Sequence, residues 1–125
     1  MCLGPVWGGL AAGVGAGLAD LILGYTYYAP VTFIIKWLMA VVCYFVFKAF
    51  LKLSKRLDIV GIILGAIAAE IVMILGYFVF EIPLYGLGVA VADILGNAIQ
   101  GFIGAVSGSA LFGVLYKTGA VKKLF

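Results

Sequence analysis

The side chains able to do chemistry in this chain interrupt stretches that are otherwise apolar. Asp20, Lys36, Glu70, Asp93, Asn97 and Gln100 each stand within a run of aliphatic and small residues. An ionisable group at membrane depth is costly, so its position is functional by default. Asp93, Asn97 and Gln100 follow at i, i+4 and i+7 and share one face of a helix, which Gly104 and Gly108 continue. The pattern predicts a helix that lines a polar cavity at one end and packs closely at the other. Lys36 is the natural charge partner of Asp20 or Asp93 across that cavity. Glu70 has no evident cation at its depth and is expected to be neutral or hydrogen-bonded to Gln100. Tyr25, Tyr27, Tyr28 and Tyr85 stand in two short polar breaks over the cavity mouth, where a ring can stack on a flat heterocycle. The plainer alternatives are that Lys36 and Asp20 snorkel to the interface and that Asn97 and Gln100 join helices to one another.

Other chemistry is missing. There is no histidine, the commonest general base and metal ligand. Cys2 and Cys43 have no paired spacing, and a mid-span thiol is most simply a small apolar packer. No G-x-x-x-x-G-K-[ST] loop is present, and the glycines of Gly13–Gly17 do not follow a strand. No catalytic residue, metal or cofactor is expected. The net charge of +3 is no nucleic-acid footprint, because the basic residues sit in two short clusters, Lys48–Arg56 and Lys117–Lys123.

The elements that must position these side chains follow from composition. Of 125 residues, 66% are hydrophobic and 10% charged, with a mean hydropathy of +1.30. A soluble fold this small could not cover itself with so few polar groups, so its solvent is largely lipid. Four apolar stretches, about residues 4–24, 30–51, 59–80 and 86–116, each exceed the roughly 18 residues that mark a spanning helix. The expected fold is an all-α membrane protein, a single domain built as a bundle of four transmembrane helices. No set of alternating segments suggests a membrane barrel, and no cleavable signal pattern opens the chain.

The breaks are Gly24–Pro30, with Pro30 suited to the first turn of a helix, the basic run Lys48–Asp58, and Glu81–Gly86. The positive-inside rule places both basic clusters, and so both termini, in the cytoplasm. The two tyrosine-bearing breaks then face outside. By helical rise, Asp20, Lys36 and Asp93 lie about 6, 9 and 10 Å from the outer end, and Asn97, Glu70 and Gln100 roughly 15–21 Å in. Small residues recur at four-residue spacing in Gly4, Gly8 and Gly9, Gly13 and Gly17, in Gly61 and Gly65, and in Gly104 and Gly108. Such stripes let helices approach closely within the chain or dock a partner helix.

At this point a family resemblance enters. Leu3-Gly4-Pro5-Val6-Trp7-Gly8, Ala19-Asp20-Leu21, Gly24-Tyr25 and Tyr28-Ala29-Pro30-Val31-Thr32-Phe33 with Lys36 resemble the substrate-binding S components of energy-coupling factor (ECF) transporters, the riboflavin type most of all. Leu75-Gly76-Tyr77-Phe78, Glu81 to Tyr85-Gly86, and Asn97-Ala98-Ile99-Gln100-Gly101 continue it through nearly the whole chain. The resemblance implies a non-enzymatic plasma-membrane protein of a bacterium or archaeon. Such a protein captures a vitamin or precursor outside and works with a transmembrane coupling subunit and two cytoplasmic ATPases. It implies a ligand site near the outer surface, which here points to the Tyr25–Pro30 turn, the Glu81–Gly86 turn, and Asp93, Asn97 and Gln100; joined with the depth reading, the candidate ligand residues are Asp20, Tyr25, Tyr28, Lys36, Tyr85, Asp93, Asn97 and Gln100. The match begins at what corresponds to the third of the family's six helices, so the four spans correspond to helices 3–6.

Two other functions fit parts of the pattern. A small proton-coupled multidrug exporter would have four spans and a buried carboxylate such as Glu70, though that signal belongs in the first span. A membrane assembly subunit without a ligand would need the glycine stripes alone.

Overall fold

The computed structural model describes residues 4–54, 56 and 58–120. Cys2, Leu3, Lys55, Lys122 and Lys123, named above, lie outside the described residues. Four helices follow in order: α1 (Gly4–Ile22), α2 (Ala29–Leu53), α3 (Asp58–Tyr85) and α4 (Leu87–Lys117). All four are long and apolar enough to cross a membrane. No strand occurs among the described residues. The protein is an all-α four-helix membrane bundle.

The helix ends follow local chemistry. Asp58 opens α3 with its carboxylate accepting from the Ile59 amide at 2.8 Å, which satisfies one of the free donors of a helix start. The Gly24 φ of +86° lets α1 reverse into the tyrosine turn, closed by the Tyr25 amide donating to the Asp20 carbonyl at 2.8 Å. Pro30 sits in the first turn of α2, as its sequence position predicts.

One boundary differs from expectation. The segment Glu81–Tyr85 is not a turn: α3 runs through it to Tyr85 with Pro83 inside. Proline here removes one amide near the helix end, and the chain turns instead at Gly86, whose φ is +85°. The Gly86 amide still donates to the Ile82 carbonyl at 3.0 Å.

Packing runs in chain order: α1 on α2, α2 on α3, α3 on α4. Gly9, Gly13 and Gly17 lie against Trp37, Phe33 and Ala29 respectively. Each step of four along α1 thus meets a step of four back along α2, an antiparallel register. A Cβ at Gly13 would come within 2.8 Å of the Phe33 carbonyl oxygen, so α1 seats on the α2 backbone itself. Between α2 and α3, Gly61 packs on Phe47 and Phe50, and Gly76 on Ile35. At the end bearing the basic loop, Phe47 (fully buried), Ile62 and Phe112 form a core joining α2, α3 and α4. Its Phe47 and Phe112 rings meet edge to face at 5.1 Å.

The remaining surface is largely aliphatic. Ile22, Leu53, Leu75, Val79, Leu95 and Phe102 are all well exposed. In water that would be a liability; in lipid it is the solvated face. Ser107, also exposed, gives its hydroxyl hydrogen to the Ile103 carbonyl at 2.7 Å, the local solution that lipid demands.

Candidate ligand site

The tyrosine turn between α1 and α2 and the α3–α4 junction lie at the same end of the bundle, opposite the basic loop. There the rings collect on Tyr28. Tyr85 lies nearly parallel to it at 6.3 Å between centroids, and Phe80 and Tyr25 meet it edge-on at 5.3 and 6.2 Å. Tyr77 is tilted against it at 6.4 Å and shares a 2.9 Å hydrogen bond with the buried Thr32 hydroxyl. Beneath these rings lies Glu81, only 4% exposed. Its carboxylate meets the Tyr28 hydroxyl and the Asp93 side chain, while Oε2 has no hydrogen-bond partner. Burial pushes the Tyr28 phenol well above its ordinary value, and the Tyr85 hydroxyl and the Glu81 and Asp93 charges add to that. Tyr28 therefore stays a neutral donor throughout the physiological range.

A second group lies deeper. The Lys36 ammonium donates to Met73 Sδ at 3.1 Å and stands in the field of Glu70 first and Asp20 second. The Glu70 carboxylate rests against the bare Cα of Gly101, where any Cβ would overlap it. Glu70 Oε2 and Asp20 Oδ2 are buried without partners. Lys36 and Glu70 border a cavity of about 450 Å³ whose walls, apart from Ser109, are otherwise apolar, among them Gly8, Gly104, Gly108 and Phe112. The cavity lies between α1 and α4, which are not a packed pair among the described residues.

Of the eight residues named from the sequence, Tyr25 and Tyr85 gather on Tyr28, and Tyr28 and Asp93 lie beside Glu81. Lys36 borders the cavity. Asp20 is half-buried on α1 and reaches Lys36 and Tyr77 only through its field. Asn97 is half-buried and Gln100 exposed. They lie on the α4 face that continues to Gly104 and Gly108 at the cavity wall.

Three expected pairings change. Lys36 stands in the field of Glu70 before that of Asp20, and Asp93 lies beside Glu81, acid against acid. Glu70 packs on Gly101, not on Gln100. The lysine stem, four carbons long, spans the single helical turn separating the depths of Lys36 and Glu70. The Gly104 and Gly108 stripe is not packed against another helix of the described chain: nothing lies within 4 Å of a Cβ built at either.

The family profile described as "ECF-type riboflavin transporter, S component" matches residues 1–117. The chain belongs to that family. An S component is a membrane transport protein of vitamin uptake and, as a family, not an enzyme. A protein of Pyrococcus woesei described as "Uncharacterized protein in gap 3'region" is 37% identical over 114 residues, covering 91% of this chain and 72% of that one. No solved structure gives a significant match.

In this S component the sequence reading placed Glu81 at the site only as the start of the Glu81–Gly86 turn, and passed over Tyr77 and Phe80. A signal was present: Tyr77, Glu81 and Tyr85 follow at four-residue intervals and share a helix face. Pro83 hid it, because a proline reads as the end of a helix and so cut that face in two.

Proposed function

We propose that this S component captures a water-soluble, ring-containing vitamin or precursor, of riboflavin or thiamine-pyrimidine type, at the outer face of a bacterial or archaeal plasma membrane. It then presents the ligand to a transmembrane coupling subunit driven by two cytoplasmic ATPases. The observation that carries this reading is the gathering of Tyr25, Phe80 and Tyr85 on Tyr28, with the buried Glu81 and Asp93 beside it, at the end away from the basic loop. Aromatic faces hold a flat ring, and convergent polar groups fix its orientation. Asn97 and Gln100 extend a polar wall inward from Asp93, and Lys36 and Asp20 supply charge below. The orientation proposed puts Lys48, Lys52, Arg56 and Lys117 in the cytoplasm.

Native mass spectrometry of the purified protein, together with uptake in cells, tests this. A retained vitamin-like molecule and uptake that needs cellular ATP, and is reduced by Asn97→Ala, are expected. Uptake that follows a proton gradient and ignores ATP would refute the reading, as would protein that retains nothing together with an Asn97→Ala variant that transports normally.

A further inference from the structure

Positive charge is concentrated at the end of the bundle opposite the ring cluster. All the basic residues except Lys36 fall in the segments Lys48–Arg56 and Lys117–Lys123, with Asp58 the one acid beside them. The Asp58 carboxylate already accepts from the Ile59 amide. The fold joins the two segments: Phe47 of α2 meets the Phe112 and Tyr116 rings of α4 at 5.1 and 6.0 Å. Lys48 and Lys117, the next residue along each helix, are exposed, as are Lys52 and Arg56. Lys48 stands over the Tyr44 ring at 5.4 Å. Lysines beside tyrosines at helix ends lie at the depth of lipid headgroups. The cavity between α1 and α4 leads to the same place. Its α4 wall, from Gly104 to Leu115, rises about 16 Å and ends beside Tyr116 and Lys117. That is the depth of one leaflet, half of a hydrocarbon core of roughly 30 Å. The groove opens sideways, because α1 and α4 are not a packed pair among the described residues. At its far end Lys36 and Glu70 turn their charged atoms to Met73 and Gly101, which do not line it. An apolar void loses packing contacts until a chain fills it.

We propose that this is a site for one acidic phospholipid of the adjoining leaflet, its phosphate held by Lys48 and Lys117 and one of its acyl chains lying in the groove between α1 and α4. An acidic head is preferred to a zwitterionic one. The only acid at this end caps α3 and leaves nothing to pair with a choline cation, while Lys52 and Arg56 add to the positive field. The volume of about 450 Å³ suits a chain. A partner helix, at least about 10 Å across, would fill roughly 1,250 Å³ over the same length. This lipid stands at the opposite end from the ring cluster and is independent of what that cluster captures.

Native mass spectrometry of the delipidated full chain in detergent, titrated with dioleoyl phosphatidylglycerol or dioleoyl phosphatidylcholine, tests it. One phosphatidylglycerol per chain is expected, bound about tenfold or more tighter than phosphatidylcholine. Lys48→Gln and Lys117→Gln should each lower that preference about fivefold, and the double variant should nearly erase it. Gly108→Leu fills the groove instead. A Cβ there meets nothing within 4 Å, so the fold admits it. It should weaken both lipids by about tenfold or more and leave their ratio within about twofold. Equal affinity for the two lipids, or a preference that neither lysine variant moves, overturns the phosphate site. Undiminished binding in Gly108→Leu removes the chain from the groove. A dimer that carries no lipid gives the groove to a second copy and overturns the proposal. So does a chain without lipid preference whose lysine variants lose their co-purifying membrane partner, because the basic end is then a protein contact.

Discussion

Tyr28 is the residue on which the ring cluster turns. It touches Tyr25, Tyr77, Phe80 and Tyr85, and its hydroxyl meets Glu81. Its phenol is raised above the ordinary 10.0, chiefly by burial, so folding favours the neutral form. The sign of the consequence follows: the contribution of Tyr28 to stability is complete below pH 10, the unfolded value, and is lost as pH climbs beyond it. Thermal unfolding followed by tryptophan fluorescence should therefore show a drop in midpoint from about pH 9 to about pH 11, with a smaller drop in Tyr28→Phe. Equal drops in the two proteins would show that the phenol is not buried as described. Glu81, one helical turn from Tyr85 and one from Tyr77, is the group that joins this ring cluster to α4 through Asp93.

At the scale of elements, α1 is held by glycines on one face only. Gly13 has the Phe33 carbonyl and ring in the space of its missing side chain, whereas Gly15, two residues on, faces open space. Gly13→Ala should destabilise the protein by about 1–3 kcal/mol, because backbone must move to admit the methyl. Gly15→Ala should be neutral or stabilising by about 0.5–1 kcal/mol, the usual gain of removing a helix glycine. Thermal melts of the two variants in one detergent decide between this seating and a loosely attached first helix, for which both would behave alike. At the other edge of the array, α4 has 31 residues and a length of about 46 Å, well beyond the roughly 30 Å of a bilayer core. Tilt or projection must take up the difference. α1, with 19 residues, is about 28 Å long and needs neither.

The whole molecule is polar along its axis, with the ring and carboxylate cluster at one end and Lys48, Lys52, Arg56 and Lys117 at the other. If the basic end is cytoplasmic, a cysteine at Tyr27, in a chain also carrying Cys2→Ser and Cys43→Ser, reacts with an impermeant maleimide in intact cells. A cysteine at Arg56 then reacts only after permeabilisation. The reverse pattern would turn the site inward and remove the basis for capture from outside. Transport by the complete assembly should stop when the nucleotide sites of the partner ATPases are inactivated and continue in the presence of a protonophore. That outcome separates a coupled importer from a gradient-driven carrier.

The number of crossings, their helical nature and the end at which charge collects were determined by the sequence alone. In lipid every backbone polar group must be satisfied within its own segment, so an apolar run of sufficient length has one solution and needs no knowledge of its neighbours. Depth was legible for the same reason, since helical rise turns residue number into distance. Rotation and register were not. Gly9, Gly13 and Gly17 set α1 on α2; the packing of α2 on α3 put Lys36 in the field of Glu70, and that of α3 on α4 put Asp93 beside Glu81. The continuation of α3 past Pro83 likewise depended on context: the lost amide falls near the helix end, and Tyr77, Glu81 and Tyr85 gain a common face against Tyr28. Which polar groups stand at the end away from the basic loop is a property of the chain, but which of them touch is a property of how its helices pack.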